Sequence, residues 1–164
     1  MSESSSARLR VLVLNERDLE HPRAGGAEIH VSRIFSRLAD RGHEIRQLST
    51  GFRGGAATTD QAGVRVERRG PLPAYYATLP ARVRGLRGAV DVVVECLNKL
   101  PFFTPLYAGR PVLALCHHLF GEVAYDQVAW PIAATVVAAE RAIPRIYRDC
   151  PFVAISESTR QDLI

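Results

Sequence analysis

The sequence predicts an α/β fold, in which a doubly wound, Rossmann-like parallel sheet carries helices on both faces. Short apolar runs recur along the chain, and runs of this kind are typical of buried parallel strands. Segments with helical periodicity separate them, and this alternation of strand and helix favours a doubly wound sheet. With 164 residues, of which 47% are hydrophobic, the chain can build one core of its own. We therefore expect one domain over residues 8–164, after a polar, serine-rich and disordered tail over residues 1–7.

The first strand and the first helix are clearly marked. Residues 9–14 form a short apolar run, which predicts a buried strand. The pair Gly25 and Gly26 then opens a helix that extends to Asp40, with one apolar face formed by Ala27, Val31, Ile34, Phe35 and Leu38. Gly42 follows at a position where a left-handed residue is favoured, because glycine has no side chain to clash there.

The later elements continue the alternation. The predicted order is strand 43–49, glycine-rich loop 50–63, strand 64–68, helix 74–87, strand 90–96, strand 111–116, helical segment 122–147 and strand 152–155. Pro80 predicts a kink or two short helices in the first of these helical segments, and Pro131 and Pro144 interrupt the second. Ser156 is placed to cap a last helix.

The net charge of +4 comes mainly from arginine, and Lys99 is the only lysine. This excess is modest and dispersed, so it does not favour a nucleic-acid partner. One stretch, here called the arginine region, is locally denser and comprises Arg65, Arg68, Arg69, Arg82, Arg84 and Arg87. A solvated surface is the favoured interpretation of this region. Contact with an anionic lipid or with a phosphorylated acceptor is the alternative.

The cysteines and the apolar stretches bear on the cellular compartment. Cys96, Cys116 and Cys150 are odd in number and lack a Cys-x-x-Cys spacing, which predicts neither a disulfide framework nor a cysteine zinc site. The N-terminal residues lack an apolar segment of the secretory type, and no run approaches the roughly 18 apolar residues of a membrane span. We expect a cytoplasmic chain, with peripheral contact with the inner membrane face through the arginine region as an alternative.

Polar clusters follow three of the predicted strands: residues 23–28, residues 95–99, and the pair His117 and His118. Ligands of open α/β sheets bind outside the carboxyl ends of the strands, so we expect these clusters to converge at one edge. Gly25 and Gly26 at a helix start would let a phosphate or sugar oxygen approach the backbone amides, and a simple tight turn is the other interpretation. Adjacent histidines on a strand point to opposite faces, so we expect no metal site.

Five ordered segments carry a resemblance to a known family. They are Pro-Arg-Ala-Gly-Gly-Ala-Glu at 22–28, Asp-Arg-Gly-His-Glu at 40–44, Glu-Cys-Leu-Asn-Lys-Leu-Pro-Phe-Phe at 95–103, His-His-Leu-Phe-Gly-Glu at 117–122 and Val-Ala-Ile-Ser-Glu-Ser-Thr-Arg at 153–160. In this order and spacing they resemble the N-terminal domain of a family 4 glycosyltransferase with the GT-B fold. The resemblance covers nearly the whole chain, from about residue 8 to residue 164.

The resemblance implies a retaining transfer of a sugar from a nucleotide-sugar donor, with no metal and no cofactor besides that substrate. In such enzymes the N-terminal domain holds mainly the acceptor, and a second domain, absent from this chain, holds most of the donor. Gly25 and Gly26 would face the donor phosphate or sugar, and His117 would be the catalytic histidine that contacts the donor sugar. The acceptor, which is a sugar, a lipid or a small molecule, would be bound by Glu95, Asn98, Lys99 and His118.

Two other functions stay open. A dinucleotide-dependent oxidoreductase domain shares the fold, but the first strand-to-helix loop lacks the Gly-x-Gly-x-x-Gly spacing. The second is a non-catalytic binding or regulatory module of the same fold. Since the resemblance implies a further domain, we expect this chain alone to bind an acceptor weakly and not to turn over.

Overall fold

The computed structural model describes residues 7–97, 100–117, 119, 124–127 and 129–162. Within them the strands are β1 (Arg10–Leu14), β2 (Glu44–Ser49), β3 (Thr58–Gln61), β4 (Val64–Arg68), β5 (Val92–Leu97), β6 (Val112–Cys116) and β7 (Phe152–Ala154). The helices are α1 (Gly26–Asp40), α2 (Leu72–Gly85), α3 (Ala124–Gln127), α4 (Trp130–Ile146) and α5 (Glu157–Asp162), with a 3₁₀ turn at Thr104–Leu106. The predicted tail lies outside the described residues, except for Ala7.

The described strands form one sheet in the order β3-β4-β2-β1-β5-β6-β7. Every neighbouring pair is parallel except β3 and β4. The chain runs outward from β1 through β2 to β4, and then returns to β5 on the other side of β1. This reversal between β1 and β5 is the topological switch of a doubly wound sheet. It confirms the predicted fold class.

Helices cover both faces of the sheet. Leu12 of β1 belongs to a buried cluster with Leu79 of α2. Val13, the next residue, belongs to a second buried cluster with Phe35 of α1. Successive side chains of a strand point to opposite faces, so one apolar run supplies both clusters. The same alternation explains why the strands read as continuous apolar runs in the sequence.

The prediction for α1 is confirmed in its bounds and its faces. The helix spans Gly26–Asp40, and Val31 and Phe35 of its apolar face are buried. Gly42 has a φ of +90°, in the left-handed region that favours glycine. The chain can therefore reverse directly from α1 into β2.

The sequence pattern misses β3, which lies in the segment predicted to be a loop. This strand pairs antiparallel with β4 at the edge of the sheet, through a turn in which Ala62 and Gly63 have positive φ. Its residues are Thr-Thr-Asp-Gln, and none of them is buried. No apolar period marks such a strand, because backbone pairing with β4 rather than side-chain burial holds it in place.

The prolines interrupt the helices less than expected. α2 runs through Pro80 as one helix, so of the two predicted alternatives, a kink or two short helices, the second is wrong. Pro131 lies in the first turn of α4, where a missing N–H leaves no helical hydrogen bond unmade. Pro144 lies inside the same helix, shortly before its end. At α5 the prediction is confirmed, since the Thr159 N–H donates to Ser156 Oγ over 3.2 Å.

Candidate functional site

Three chain segments leave the carboxyl edge of neighbouring strands. β1 pairs with β5, and β5 pairs with β6, all in parallel. β1 leads into the loop 15–25 before α1, β5 leads toward the 3₁₀ turn, and β6 is followed directly by His117. These segments meet at the switch point of the sheet, where ligands of open α/β sheets bind. This edge is the candidate functional site.

His117 lies against the start of α1. Its Nε2 atom is 3.3 Å from Nδ1 of His30, and the two rings meet edge-on with centroids 5.4 Å apart. His30 comes four residues after Gly26, which is about 6 Å further along the helix axis. His117 and the glycine pair therefore lie at the same edge of the sheet, as the sequence predicts.

The helix α5 fixes the main chain at His117. Thr159 is buried, and its Oγ1 donates a hydrogen bond of 3.0 Å to the carbonyl oxygen of His117. Thr159 is held in turn by the Ser156 cap at the start of α5. The His117 residue is only 6% exposed, so its ring is nearly enclosed.

The two glycines at the start of α1 differ in what they offer a ligand. The Gly25 N–H donates to Oε2 of Glu28 over 2.6 Å, so this amide is already bonded within the protein. Gly26 is exposed, and a Cβ added there would have no heavy atom within 4 Å. Neither glycine has a positive φ, so neither is required by its own backbone conformation. A larger side chain at this position would fill the open space at Gly26 and keep a ligand out of it.

A buried ion pair holds the loop 15–25 against β4. Nε and Nη2 of Arg68 donate to the two carboxylate oxygens of Asp18 over 2.7 and 2.6 Å, and both side chains are enclosed. Burial by itself would raise the pKa of Asp18, but hydrogen bonds from Arg68 and Gln61 outweigh it and hold that pKa below its ordinary value. Arg68 is therefore not on a solvated or lipid-facing surface, which corrects the interpretation of the arginine region.

Other arginines of that region also have structural partners. Arg87 donates to two main-chain carbonyl oxygens just after the 3₁₀ turn. The side chain of Arg82 is 14% exposed and lies 3.7 Å from a carboxylate oxygen of β4. Arg65, Arg69 and Arg84 are exposed. The solvated part of the arginine region is thus smaller than the sequence indicates.

Glu95 lies in the protein interior, where it binds the segment after β5. It is fully buried; its Oε1 accepts from the Phe102 N–H and from the Tyr147 hydroxyl, each over 2.6 Å, and its Oε2 accepts from the Thr104 N–H over 3.1 Å. Burial raises the pKa of Glu95, against the opposing effect of these bonds. The structure therefore does not place Glu95 where it could contact an acceptor. The expectation fails because the Glu95 side chain points from β5 into the interior, where donors of the protein itself bind its carboxylate.

Three residues predicted to contact the acceptor lie outside the described part of the chain: Asn98, Lys99 and His118. Their roles stay predictions. The residues just after the first two are well anchored, since the Tyr76 hydroxyl donates to the Leu100 carbonyl oxygen over 2.9 Å. The Phe103 N–H donates to the Tyr147 hydroxyl, also over 2.9 Å, and Phe103 has a left-handed φ of 54°.

A cavity of about 870 Å³ lies beside β7, between the end of α4 and the start of α5. Tyr147, Phe152 and Arg160 are among the residues that line it, whereas the glycine pair and His117 do not. Within the described residues, no three or more His, Cys, Asp or Glu side chains are grouped so that they could hold a metal ion. No helix in the described ranges is long and apolar enough to cross a membrane.

Sequence reasoning missed His30. The apolar periodicity of α1 assigns its other positions to solvent, and a partly buried histidine between the two faces leaves no mark on that pattern. Residues four apart are neighbours on a helix surface, so the spacing from Gly26 to His30 was a usable signal. It places an imidazole one turn behind the glycine pair, on the side where the strands end.

The fold and the site together define a Rossmann-like domain whose candidate functional edge is formed by a glycine-opened helix and a strand-end histidine. The family model for Glycosyltransferase Family 4 matches residues 24–164. The chain therefore belongs to glycosyltransferase family 4, as an N-terminal domain of that family.

Two further comparisons add little to this assignment. None of the curated proteins matches the chain. Among solved structures, a short-chain dehydrogenase/reductase from Burkholderia vietnamiensis is 14% identical, with a TM-score of 0.44 over 91% of this chain and 85% of that chain. A likeness at this level supports no statement about the function or the site.

Proposed function

We propose that this chain forms the acceptor side of a retaining glycosyltransferase that takes its sugar from a nucleotide-sugar donor. Membership of family 4 supports the transferase class. The observation that carries the proposal is the meeting of Gly26 and His117 at one edge of the sheet, linked by the contact of His117 with His30. A donor sugar and its phosphate are joined by one bond, so the groups that act on them must be close together.

The chemistry of transfer explains the residue types at this edge. When the glycosyl–phosphate bond breaks, negative charge develops on the departing phosphate and positive character develops on the sugar. Backbone amides at the start of α1 are suited to the first, because the N-terminus of a helix is electropositive. The open space at Gly26 allows the phosphate to approach, while Gly25 and Glu28 hold the turn. The histidine pair that contains His117 binds the donor by hydrogen bonding, and this contact holds the sugar in place for transfer.

The acceptor lies, in this proposal, along the segment after β5. Asn98, Lys99 and His118 supply the polar groups that bind it. Glu95 acts from behind, because its carboxylate binds the N–H groups of Phe102 and Thr104 and so fixes where this segment runs. A sugar, a lipid or a small metabolite would suit such a polar segment. The reaction is cytoplasmic in this proposal, and the exposed arginines Arg65, Arg69 and Arg84 are the ones left to meet an anionic membrane surface.

A transfer assay tests the proposal. We would compare the 164-residue chain with a polypeptide extended by its downstream reading frame, using UDP-, GDP-, ADP- and dTDP-linked sugars and measuring nucleotide release with a panel of acceptors. We expect turnover in the extended protein and none in the chain alone, because the second domain supplies most of the donor site. A clear rate from the 164-residue chain would contradict the division into halves. No turnover with any pair of substrates would count against transferase activity itself.

A matched glycine pair tests the role of the α1 start. Gly26→Val fills space that we assign to the donor, and we expect it to lower turnover by at least about tenfold. Gly85→Val is the control, since Gly85 is also exposed, has no positive φ and has no heavy atom within 4 Å of an added Cβ. It lies at the end of α2, close to Gly88, whose carbonyl accepts from Arg10 at the opposite edge of the sheet. Equal rates for both variants would remove Gly26 from the site.

A further inference from the structure

We infer that His30 is the ligand-contacting ring of the histidine pair, and that His117 behind it sets which nitrogen of His30 carries the proton. This inference rests on the proposed function and assigns different roles to the two histidines of the same site. Neither the family match nor the resemblance assigns His30 a role. Its ligand would be the diphosphate portion of a nucleotide-sugar.

The exposure of the two rings supports this division. His117 is 6% exposed and nearly enclosed, whereas His30 is only partly buried. A ligand that approaches the edge of the sheet meets the more exposed ring first. Buried polar groups that face a more exposed partner commonly orient that partner, as the groups behind metal-ligating histidines do.

The pair is held from both sides, so its geometry is not an accident of two mobile side chains. His30 lies on α1 directly before Val31, which is 1% exposed and fixes that turn of the helix in the core. The carbonyl of His117 is bonded to Thr159. The facing atoms, Nδ1 of His30 and Nε2 of His117, are therefore presented to each other at 3.3 Å by two packed elements.

A hydrogen bond between two neutral imidazoles couples their tautomers. Each neutral ring has one N–H and one bare nitrogen, so one of the facing nitrogens must donate and the other must accept. If Nε2 of His117 donates to Nδ1 of His30, the hydrogen of His30 lies on its own Nε2. That N–H is on the ring edge turned away from His117, and a donor there suits phosphate oxygens. We assign this arrangement to the pair.

A zinc site is the competing explanation of the same distance. Two imidazole nitrogens bound at about 2.0–2.1 Å to a tetrahedral zinc ion are about 3.3 Å apart. A stable site needs further ligands, and the described residues contain no group of three or more ligating side chains. We therefore assign the 3.3 Å distance to a hydrogen bond, and we include a measurement of zinc binding in the test.

The first test reads the tautomers directly, and it needs no enzymatic activity. Ring ¹⁵N spectra of the histidine-labelled chain at pH about 8, above the ordinary histidine range, separate Nε2–H from Nδ1–H forms. We expect His30 and His117 both as Nε2–H, and we expect His117→Ala to make His30 a mixture. Either ring as Nδ1–H in the wild-type chain would overturn the assignment. Submicromolar binding of Zn²⁺ that is lost in His117→Ala would overturn it as well.

The second test uses inorganic pyrophosphate as the probe, with UDP beside it, because the diphosphate is the group the two share. His30→Ala should weaken binding of both by about tenfold, the usual effect of losing one hydrogen bond to a charged group. His30→Gln places an amide where Nε2 was and should keep most of the affinity, whereas His30→Asn mimics Nδ1 and should behave like alanine. The reverse order would show that His30 only positions His117. Equal affinity in all variants would overturn the inference.

The two proposals can fail separately. Correct tautomers and His30-dependent pyrophosphate binding, together with no sugar transfer by the extended protein, would refute the proposed function and leave the diphosphate contact standing. Sugar transfer that is unaffected by His30→Ala would refute the contact and leave the transferase function standing.

Discussion

Replacing Asp18 by asparagine should destabilise the protein more than any surface substitution would. Asp18 and Arg68 are both enclosed, and they share two hydrogen bonds of 2.6 and 2.7 Å. Removing the carboxylate charge leaves the guanidinium of Arg68 buried with less compensation, and breaking a buried pair in this way costs about 3–5 kcal/mol. Glu20 also accepts from Arg68, over 2.7 Å, and takes over part of the compensation. We therefore expect a loss near 3 kcal/mol.

The size of this loss can be checked by denaturation. For a chain of 164 residues, about 3 kcal/mol corresponds to a fall in Tm of roughly 6–12 °C. Glu20→Gln is the matched control, because the Glu20 side chain is 51% exposed and an exposed pair contributes about 0–1 kcal/mol. The double variant D18N/R68M removes both charges and should recover much of the loss, since apolar replacements of a buried pair are often tolerated. Equal losses for D18N and Glu20→Gln would refute the reasoning.

The pH dependence gives an independent check with a definite sign. The folded-state pKa of Asp18 is lowered, so its contribution to stability is present above the unfolded-state pKa, near 3.8, and is lost as the pH falls toward the folded value. The difference in unfolding free energy between the wild-type chain and D18N should therefore stay level from pH 7 to about 5 and shrink as the pH is lowered from about 5 to about 3. A difference that stays constant over this range would mean that the Asp18 charge is not what stabilises the loop.

Three further variants test the polar groups that hold the chain at the other strand ends. Glu95→Gln replaces one accepting oxygen by an NH2 group, which then faces N–H or O–H donors. We expect this variant to lower the free energy of unfolding by about 2–4 kcal/mol, measured by chemical denaturation. Tyr147→Phe keeps the carboxylate and should lower the free energy of unfolding by less. Ser156→Ala removes the cap of α5 and should cost about 1 kcal/mol. A larger loss for Tyr147→Phe than for Glu95→Gln, or no loss for Ser156→Ala, would contradict these assignments.

The sequence predicts the fold well because the pattern of apolar residues along the chain shows which segments are buried. Val13 and Leu12 pack on opposite faces, and the apolar run that contains them is visible without a structure. β3 cannot be predicted in this way, because its residues are polar and it is held by backbone pairing with β4 rather than by burial in the core. Glu95 shows another limit: the sequence places this carboxylate in a strand, but it does not show that Phe102, Thr104 and Tyr147 supply donors that hold it in the interior.

The site is harder to predict, because its parts are fixed by residues that are distant in sequence. Asp18 needs Arg68 from β4, and neither position carries a local sign of the pair. Two of the three predicted clusters converge, since His117 contacts α1 about one turn after Gly26. The general rule for parallel sheets was sufficient for that. The identity of the contact, through His30, required the three-dimensional distance.

A common design links the three strand ends of the site. After β1, the loop is anchored by Asp18 and Arg68; after β5, the chain is anchored by Glu95; and after β6, the carbonyl of His117 is anchored by Thr159. Each anchor is a buried polar group that lies behind the edge on which a ligand would bind. Substituting an anchor should therefore lower stability and displace the site together, whereas substituting Gly26 or His30 should lower binding with little change in Tm. Measuring both Tm and ligand binding for each variant can thus separate residues that stabilise the edge from residues that contact the ligand.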